Sequence, residues 1–210
     1  MADEWQAVRV ELSQRGVAGA HDLGRFVSNT EYFWPSQLDE RAAMPVFLDV
    51  LPRLSDAKVV AAVAGHLRRP WARPAAFVAL HQAFQAWADV DASAGWHIGD
   101  AMANAARVEH LPQLLAIVAE PRYGTARQMV VDSLSRFKAS PDMQPALIAS
   151  LSDPDVALHA MGALRRTVGP QAALPHLRRV AAEHDGGPLE QVASRQIRKA
   201  EAAIRKQQSG

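Results

Sequence analysis

Four segments of the chain open on a proline followed by apolar residues, and this recurrence narrows the possible folds more than any other feature. They read Pro45-Val-Phe47-Leu48, Pro112-Gln-Leu114-Leu115, Pro145-Ala-Leu147-Ile148 and Pro175-His-Leu177-Arg178. Two residues after each proline stands Phe47, Leu114, Leu147 or Leu177; six after stands Leu51, Val118, Leu151 or Ala181. The proline spacings are 67, 33 and 30 residues (112 − 45, 145 − 112, 175 − 145). The first is about twice the others, so a unit lacking the proline fits between, around Val78. A second series runs beside the first: Val59 and Leu67, Ala126 and Leu134, and Val156 and Leu164 are each eight residues apart. One helix pair cannot bury both its faces, whereas stacked pairs share a core, which is why such units come in series.

The local signals are helical. Phe77, Leu80, Phe84 and Trp87 fall on one helical face, as do Leu111, Leu114, Leu115 and Val118, and then Leu147, Ile148 and Leu151. No sustained period-two alternation and no Asn-Gly or Asp-Gly turn argues for strands. Breakers punctuate the pattern: Pro70 and Pro74, Gly95, Pro121 with Tyr123-Gly124, Ser152-Asp153-Pro154-Asp155, Gly169-Pro170 and Gly186-Gly187-Pro188. Helices of this length with tight turns imply antiparallel neighbours. A proline within a first helix either bends it or lies in its opening turn. Glu109 and Gly169-Pro170, close upstream, place Pro112 and Pro175 in opening turns, while Pro45 fits either reading.

Asp153-Pro154-Asp155-Val156, followed by Ala160 and Ala163-Leu164, resembles the HEAT-like repeats first associated with phycobilisome lyases. Ala126-Arg127, with Leu134 downstream, matches the Val-Arg position of that pattern loosely. Ala157 and Val60 stand where the pattern has Arg, so the family's Asp–Arg ladder is largely missing. Trp96-His-Ile-Gly-Asp100 through Tyr123-Gly-Thr-Ala-Arg-Gln-Met129 is also similar to a family of uncharacterised bacterial HEAT-repeat domain proteins. The resemblance covers roughly residues 38–207 and is clearest over 109–168. It implies an all-α superhelix (solenoid) of about five helix pairs, approximately 38–70, 71–108, 109–140, 141–169 and 170–207. An N-terminal helical cap over 1–37, with helices at about Glu4–Gln14 and His21–Val27, precedes them. A final helix from Leu189 to about Lys206 closes the other end, and 208–210 is expected to be a disordered tail. Within the cap, Tyr32-Phe33-Trp34-Pro35 reads as loop, either covering the end of the stack or forming an aromatic patch for a partner.

Composition excludes several function classes. There is no cysteine, hence no disulfide, thiolate nucleophile or Cys-ligated zinc. An apolar fraction of 49% is ample for a continuous core. No apolar run approaches a membrane span, and the start, Met-Ala-Asp-Glu-Trp, lacks the basic and apolar regions of a secretory signal. The expectation is a soluble, cytoplasmic chain with no membrane association. The formal net charge is +1, but residues 1–40 carry −4, residues 41–120 balance, and residues 121–210 carry +5. That basic C-terminal half either attracts an acidic partner or reflects arginines near helix C-termini.

Signatures of chemistry are sparse. The eight histidines are scattered, with no His-Glu-x-x-His. Stacking of second helices would be needed to bring His66, His97 and His159 together near Asp100, so no metal and no cofactor is expected. No glycine-rich phosphate motif occurs. Ser135-Arg-Phe-Lys138 has the Ser-x-x-Lys spacing without its companion motifs, and reads as an exposed helix end. No catalytic residue is assigned. Some HEAT-like solenoids are DNA glycosylases that use an Asp, a nearby Trp and cationic groove residues. Trp87 with Asp89 or Asp91, and Trp96 with Asp100, are the candidates for that alternative. The favoured expectation is a non-catalytic scaffold binding a protein partner, with nucleic acid as the second choice. In such stacks the second helices line the concave face, which singles out Trp96, His97, Asp100, Asn104, Tyr123, Arg127, Gln128 and His159 as candidate binding residues. The competing structural reading has Trp96 and Tyr123 sealing seams between repeats and Arg127 in an internal ion pair.

Overall fold

The computed structural model describes residues 3–23, 37–184 and 186–208, all of them helical or in turns and connections, with no strand among them. The α-helices are α1 (Glu4–Gln14), α2 (Glu40–Val50), α3 (Ala57–His66), α4 (Phe77–Trp87), α5 (Ala92–Ala105), α6 (Leu111–Val118), α7 (Gln128–Ser133), α8 (Met143–Ser150), α9 (Ala157–Glu183) and α10 (Pro188–Gln208). Short 3₁₀ turns join several of them. No helix of the described residues is long and apolar enough to cross a membrane. Of the region expected as a cap, α1 and a 3₁₀ turn at Ala20–Asp22 are seen. The aromatic cluster at 32–35 and most of the expected second helix lie outside the described residues. At the other end Gln208 is still helical.

The chain divides into two compact units, Met1–Arg107 and Val108–Gly210. In the first, α1 lies on α2, and α5 packs against both α3 and α4. Phe47, Leu51, Leu67, Leu80, Phe84, Ile98 and Met102 form its core. Aspartates start the helices: Asp39, Asp56 and Asp91 accept hydrogen bonds from the first-turn amides of α2, α3 and α5. Glu4 on α1 likewise accepts from the amides of Ser55 and Asp56 and from the Ser55 hydroxyl, and these bonds hold its carboxyl below the usual range against the opposing effect of burial. Gly19 has φ +71 and lies so close to the backbone of Gln37 that a Cβ would meet the Gln37 carbonyl carbon at 2.2 Å. Only glycine meets both demands. In the second unit, α9 packs on α7, α8 and α10, and α6 on α7 and α8. Gly169, at φ 83 and ψ 167, breaks α9 where Gly169-Pro170 signals a stop.

The repeat positions are core positions. Phe47, Leu114, Leu147 and Leu177 are fully buried, and so are Val59, Leu67, Ala126, Leu134, Val156 and Leu164. Of the positions six after the proline, Leu51, Val118 and Leu151 are buried and Ala181 only partly. The prolines themselves face outward. Val78, at the place expected for the unit without a proline, is 62% exposed, while Leu80 two residues on and Phe84 six residues on are buried. Val78 thus shares the outward placement of the four prolines, two residues before a buried position.

Pro112 and Pro145 stand in the opening turns of α6 and α8. Pro175 does not: it lies beyond the first turn of the segment that restarts after Gly169, inside α9. The segment starts at Pro170 itself, which moves Pro175 inward. Pro45 is likewise interior to α2. At both, the carbonyl four residues earlier loses its helical donor on an exposed face, where water replaces it.

Because Val78 is exposed in the first turn of α4, where backbone amides have no helical partner, Val78→Pro should change unfolding free energy by less than about 1 kcal/mol. Leu80→Pro, two residues on in the core, should cost well over about 3 kcal/mol. Urea unfolding of both variants measures the contrast, and equal losses would mean that the register is misplaced.

Candidate binding surface

The N-cap of α5 is Asp91, whose carboxylate accepts from the Ala94 amide at 2.8 Å. From there Trp96, His97, Asp100 and Asn104 recur on one side of the helix, opposite the buried Ile98, Ala101, Met102 and Ala105. The charged connection between α3 and α4 lies against that side. Arg68 Nη1 donates to Asp100 Oδ2 at 2.6 Å. Asn104 Nδ2 donates to the Asp100 carbonyl at 2.9 Å and to its Oδ1 at 3.1 Å. Arg73 Nη2 donates to Asn104 Oδ1 at 3.5 Å.

Asp100 is buried, so its charge is offset internally by Arg68 and its oxygens are occupied. It does not face solvent as a binding group, because a buried carboxylate without such partners would be costly. The Arg68 side chain is 57% exposed, whereas Arg73 is half-buried and its Nε has no hydrogen-bond partner among the described residues. Trp96 is half-buried, and its ring meets the exposed His97 ring edge-on at 5.2 Å between centroids. The surface thus combines two arginines, an indole and an imidazole. Arg68 and Arg73 were missed by reading the sequence, where they stand in a proline-rich connection. Their available signal was spacing: each bonds a residue about one repeat further on, Arg68 to Asp100 and Arg73 to Asn104.

A second polar cluster joins α2 to the end of α3 and the connection that follows it. Glu40 Oε1 is 2.9 Å from Nδ1 of the buried His66, and Arg69 donates to Glu40 Oε2 from Nε at 2.7 Å and to Oε1 from Nη2 at 3.1 Å. Phe47 stacks on the His66 ring, with centroids 5.3 Å apart. Burial alone would raise the Glu40 pKa, but the hydrogen bonds and charges of His66 and Arg69 pull it down to about 2. The hydrogen bonds to Glu40 and its charge in turn raise the pKa of Arg69 against the opposing effect of burial.

The candidates in the second unit have other work. Tyr123 is buried and its hydroxyl accepts from Arg122 Nη2 at 2.9 Å. Arg127, 3% exposed, donates from Nη1 to the Val118 carbonyl at 2.8 Å and from Nη2 to Asp153 Oδ2, while its Nε is buried without a hydrogen-bond partner among the described residues. These two side chains belong to the interior, so they do not form a solvent-facing surface. Gln128 Nε2 donates to the Asp155 carbonyl at 2.7 Å. His159 is half-buried, and burial pushes its pKa below the ordinary histidine value, opposed by Asp132 and reinforced by Arg166. Arg127 and Asp153, with Ser150, border a cleft of about 190 Å³ whose other walls include Leu115, Val118 and Ala149. That is below the roughly 300 Å³ at which small-molecule pockets begin.

Of the candidate Trp–Asp pairs, Asp91 is taken up as a helix cap and Asp100 by Arg68 and Asn104. Among the described residues no group of three or more His, Asp or Glu converges as a metal site. Neither a family model, nor a curated protein, nor a solved structure matches the chain.

Two outcomes follow from these clusters. Glu40 has its folded pKa about 2 against an ordinary 4.5, so its stabilisation is complete above pH 4.5 and is lost as pH falls toward 2. Acid titration of stability should show a loss on the order of 3 kcal/mol in that window, which Glu40→Gln abolishes by starting lower at neutral pH. Arg127→Met should cost about 3 kcal/mol, because it strips Asp153 and the Val118 carbonyl of their donor. A double-mutant cycle with Asp153→Ala should then be strongly non-additive, and simple additivity would mean that the two side chains act independently.

Proposed function

We propose that the chain is a non-catalytic interaction scaffold built from HEAT-like helix pairs, and that it holds a protein partner on the Trp96–His97 side of α5. The observation that carries this reading is that the helix side holding a half-buried indole and an exposed imidazole is also bonded by two arginines, the exposed Arg68 through Asp100 and the half-buried Arg73 through Asn104. Trp and Arg are the side chains that most often dominate a protein interface, because each combines apolar area with directed hydrogen bonds. Arg68 is held by Asp100, and Asn104 is fixed by Asp100 and bonded by Arg73, so little side-chain freedom is lost on binding.

The HEAT-like arrangement draws support from register. Apolar positions recur through both units, and several polar side chains are bonded to residues about one repeat away. Examples are Arg69 with Glu40, Arg127 with Asp153 and Arg166 with Asp132. The Arg127–Asp153 pair links the residue matching the pattern's Val-Arg position to the Asp-Pro turn 26 residues on, as a rung of the expected Asp–Arg ladder would. A base-excision reading has less behind it, since two of its three candidate aspartates, Asp91 and Asp100, have their carboxylates engaged within the fold, while the third, Asp89, is exposed.

A photo-crosslinking amino acid in place of the exposed His97, expressed in the source cell, tests the scaffold reading. A discrete protein adduct is expected from position 97 and not from the exposed Ser13 on α1. Arg68→Glu with Arg73→Glu should weaken that adduct about tenfold or more. The same adducts from both positions, or none from position 97, would sink the proposal.

A further inference from the structure

The last helix carries a surface of a different kind. Turning α10 by 100° per residue places Gln191, Arg195, Arg198, Lys199, Ala202, Arg205 and Lys206 within one arc of about 120°. All seven are exposed. The opposite arc holds Ala193, Ile197, Ala200 and Ile204, of which Ala193 and Ala200 are fully buried, and α10 packs on α9. The apolar side of this amphipathic helix is therefore already covered, and it is not available to lie in a lipid surface. What faces outward is five cations and no acid.

Among the described residues, Arg195, Arg198, Lys199 and Lys206 make no ion pair. The acids on the flank are engaged: Glu201 accepts from Arg178 at 3.1 Å and Glu190 from the Ser194 hydroxyl at 2.6 Å. Holding so many like charges on one helix side destabilises the helix by a few tenths of a kcal/mol per pair. Capping does not explain the arrangement, since Arg195 to Lys199 lie mid-helix, away from the C-terminal dipole.

We infer that this arc of α10 binds the phosphate backbone of a double-stranded nucleic acid. From Arg195 to Lys206 the stripe runs about 16 Å, the length of duplex axis that presents about five phosphates per strand. The arc has no aromatic or large aliphatic side chain, so it lacks the apolar anchors on which a protein interface depends. Phosphate contacts need no such anchor and read no sequence. This site uses none of the residues of the α5 surface and goes beyond the scaffold reading.

The test uses the full chain, fluorescence anisotropy, and a 20-base-pair DNA duplex, an RNA duplex of equal length, and poly-glutamate of equal charge. Wild type should bind a duplex with a slope of log affinity on log salt near −4, about a 250-fold loss between 50 and 200 mM. The DNA and RNA arms show which duplex is the source of the phosphates, and binding of either supports the site. Arg195→Glu, Arg198→Glu, Lys199→Glu and Lys206→Glu together should lower affinity at 50 mM salt more than 100-fold, with the circular dichroism spectrum unchanged. Should that variant fail to fold, Lys199→Ala alone should reduce the slope by about one. No duplex binding at 50 mM salt, tighter binding of poly-glutamate, or an unaltered slope in the α10 variants would each overturn the assignment.

Discussion

An amphipathic helix of eight to fourteen residues, such as α2 to α6 or α8, cannot hide its apolar face from water by itself, and the packing of this chain follows from that shortage. Each such face must be covered by another helix, as α5 covers α3 and α4 and α9 covers α7 and α8. The chain meets this need by repeating the same apolar positions roughly every 30 residues, and Phe47, Leu80, Leu114, Leu147 and Leu177 are each fully buried. The polar chemistry keeps the same period. Arg68 reaches Asp100, Arg69 reaches Glu40, Arg127 reaches Asp153, and Arg166 reaches Asp132, each across about one unit. Dispersion and burial set the spacing, and these pairs fix which neighbour is accepted. A slip of one turn would leave the buried carboxylate of Asp100 without its Arg68 donor.

This stitching determines what remains for a partner. Carboxylates within and at the edge of the fold occupy arginines, so a candidate binding residue is one whose charge is not already used by such a pair. Arg127 is wholly absorbed, whereas Arg68 satisfies Asp100 with one nitrogen and still extends into solvent. The two exposed surfaces then differ in kind. The α5 side mixes indole, imidazole and guanidinium over an internally neutralised carboxylate, the composition of a contact with shape and direction. The α10 side is a row of cations on a helix whose apolar half is already covered by α9, the composition of a contact with uniform charge.

Several elements were legible without coordinates because they depend on near neighbours in sequence. α1 starts and ends where its acidic first turn and Gly16 place it, and the break at Gly169 stands where a glycine precedes a proline. Pro175 was less legible. Its distance from Gly169 suggested an opening turn, but the helix restarts at Pro170 itself and carries Pro175 into its interior. The candidate binding residues divide in the same way. Trp96, His97, Asp100 and Asn104 share a helix side because helical geometry demands it. Whether each faces solvent depended on what packs above them. The connection from Arg68 to Arg73 covers Asp100 and leaves His97 open.

The sequence by itself determined the helical class, the recurrence of apolar positions about every 30 residues, the burial of those positions and the amphipathicity of the last helix. Each of these is set by periodicity along the chain and by local breakers, which act over one turn or one unit. Only the tertiary structure decided which polar side chains are spent. Tyr123 and Arg127 are drawn into the interior, Glu40 is held ionised by His66 and Arg69, and Arg68 and Arg73 are brought to α5 from a connection about 30 residues away. Those outcomes depend on the distance between groups far apart in the chain and on the water excluded around them. Neither quantity is written in the order of the residues.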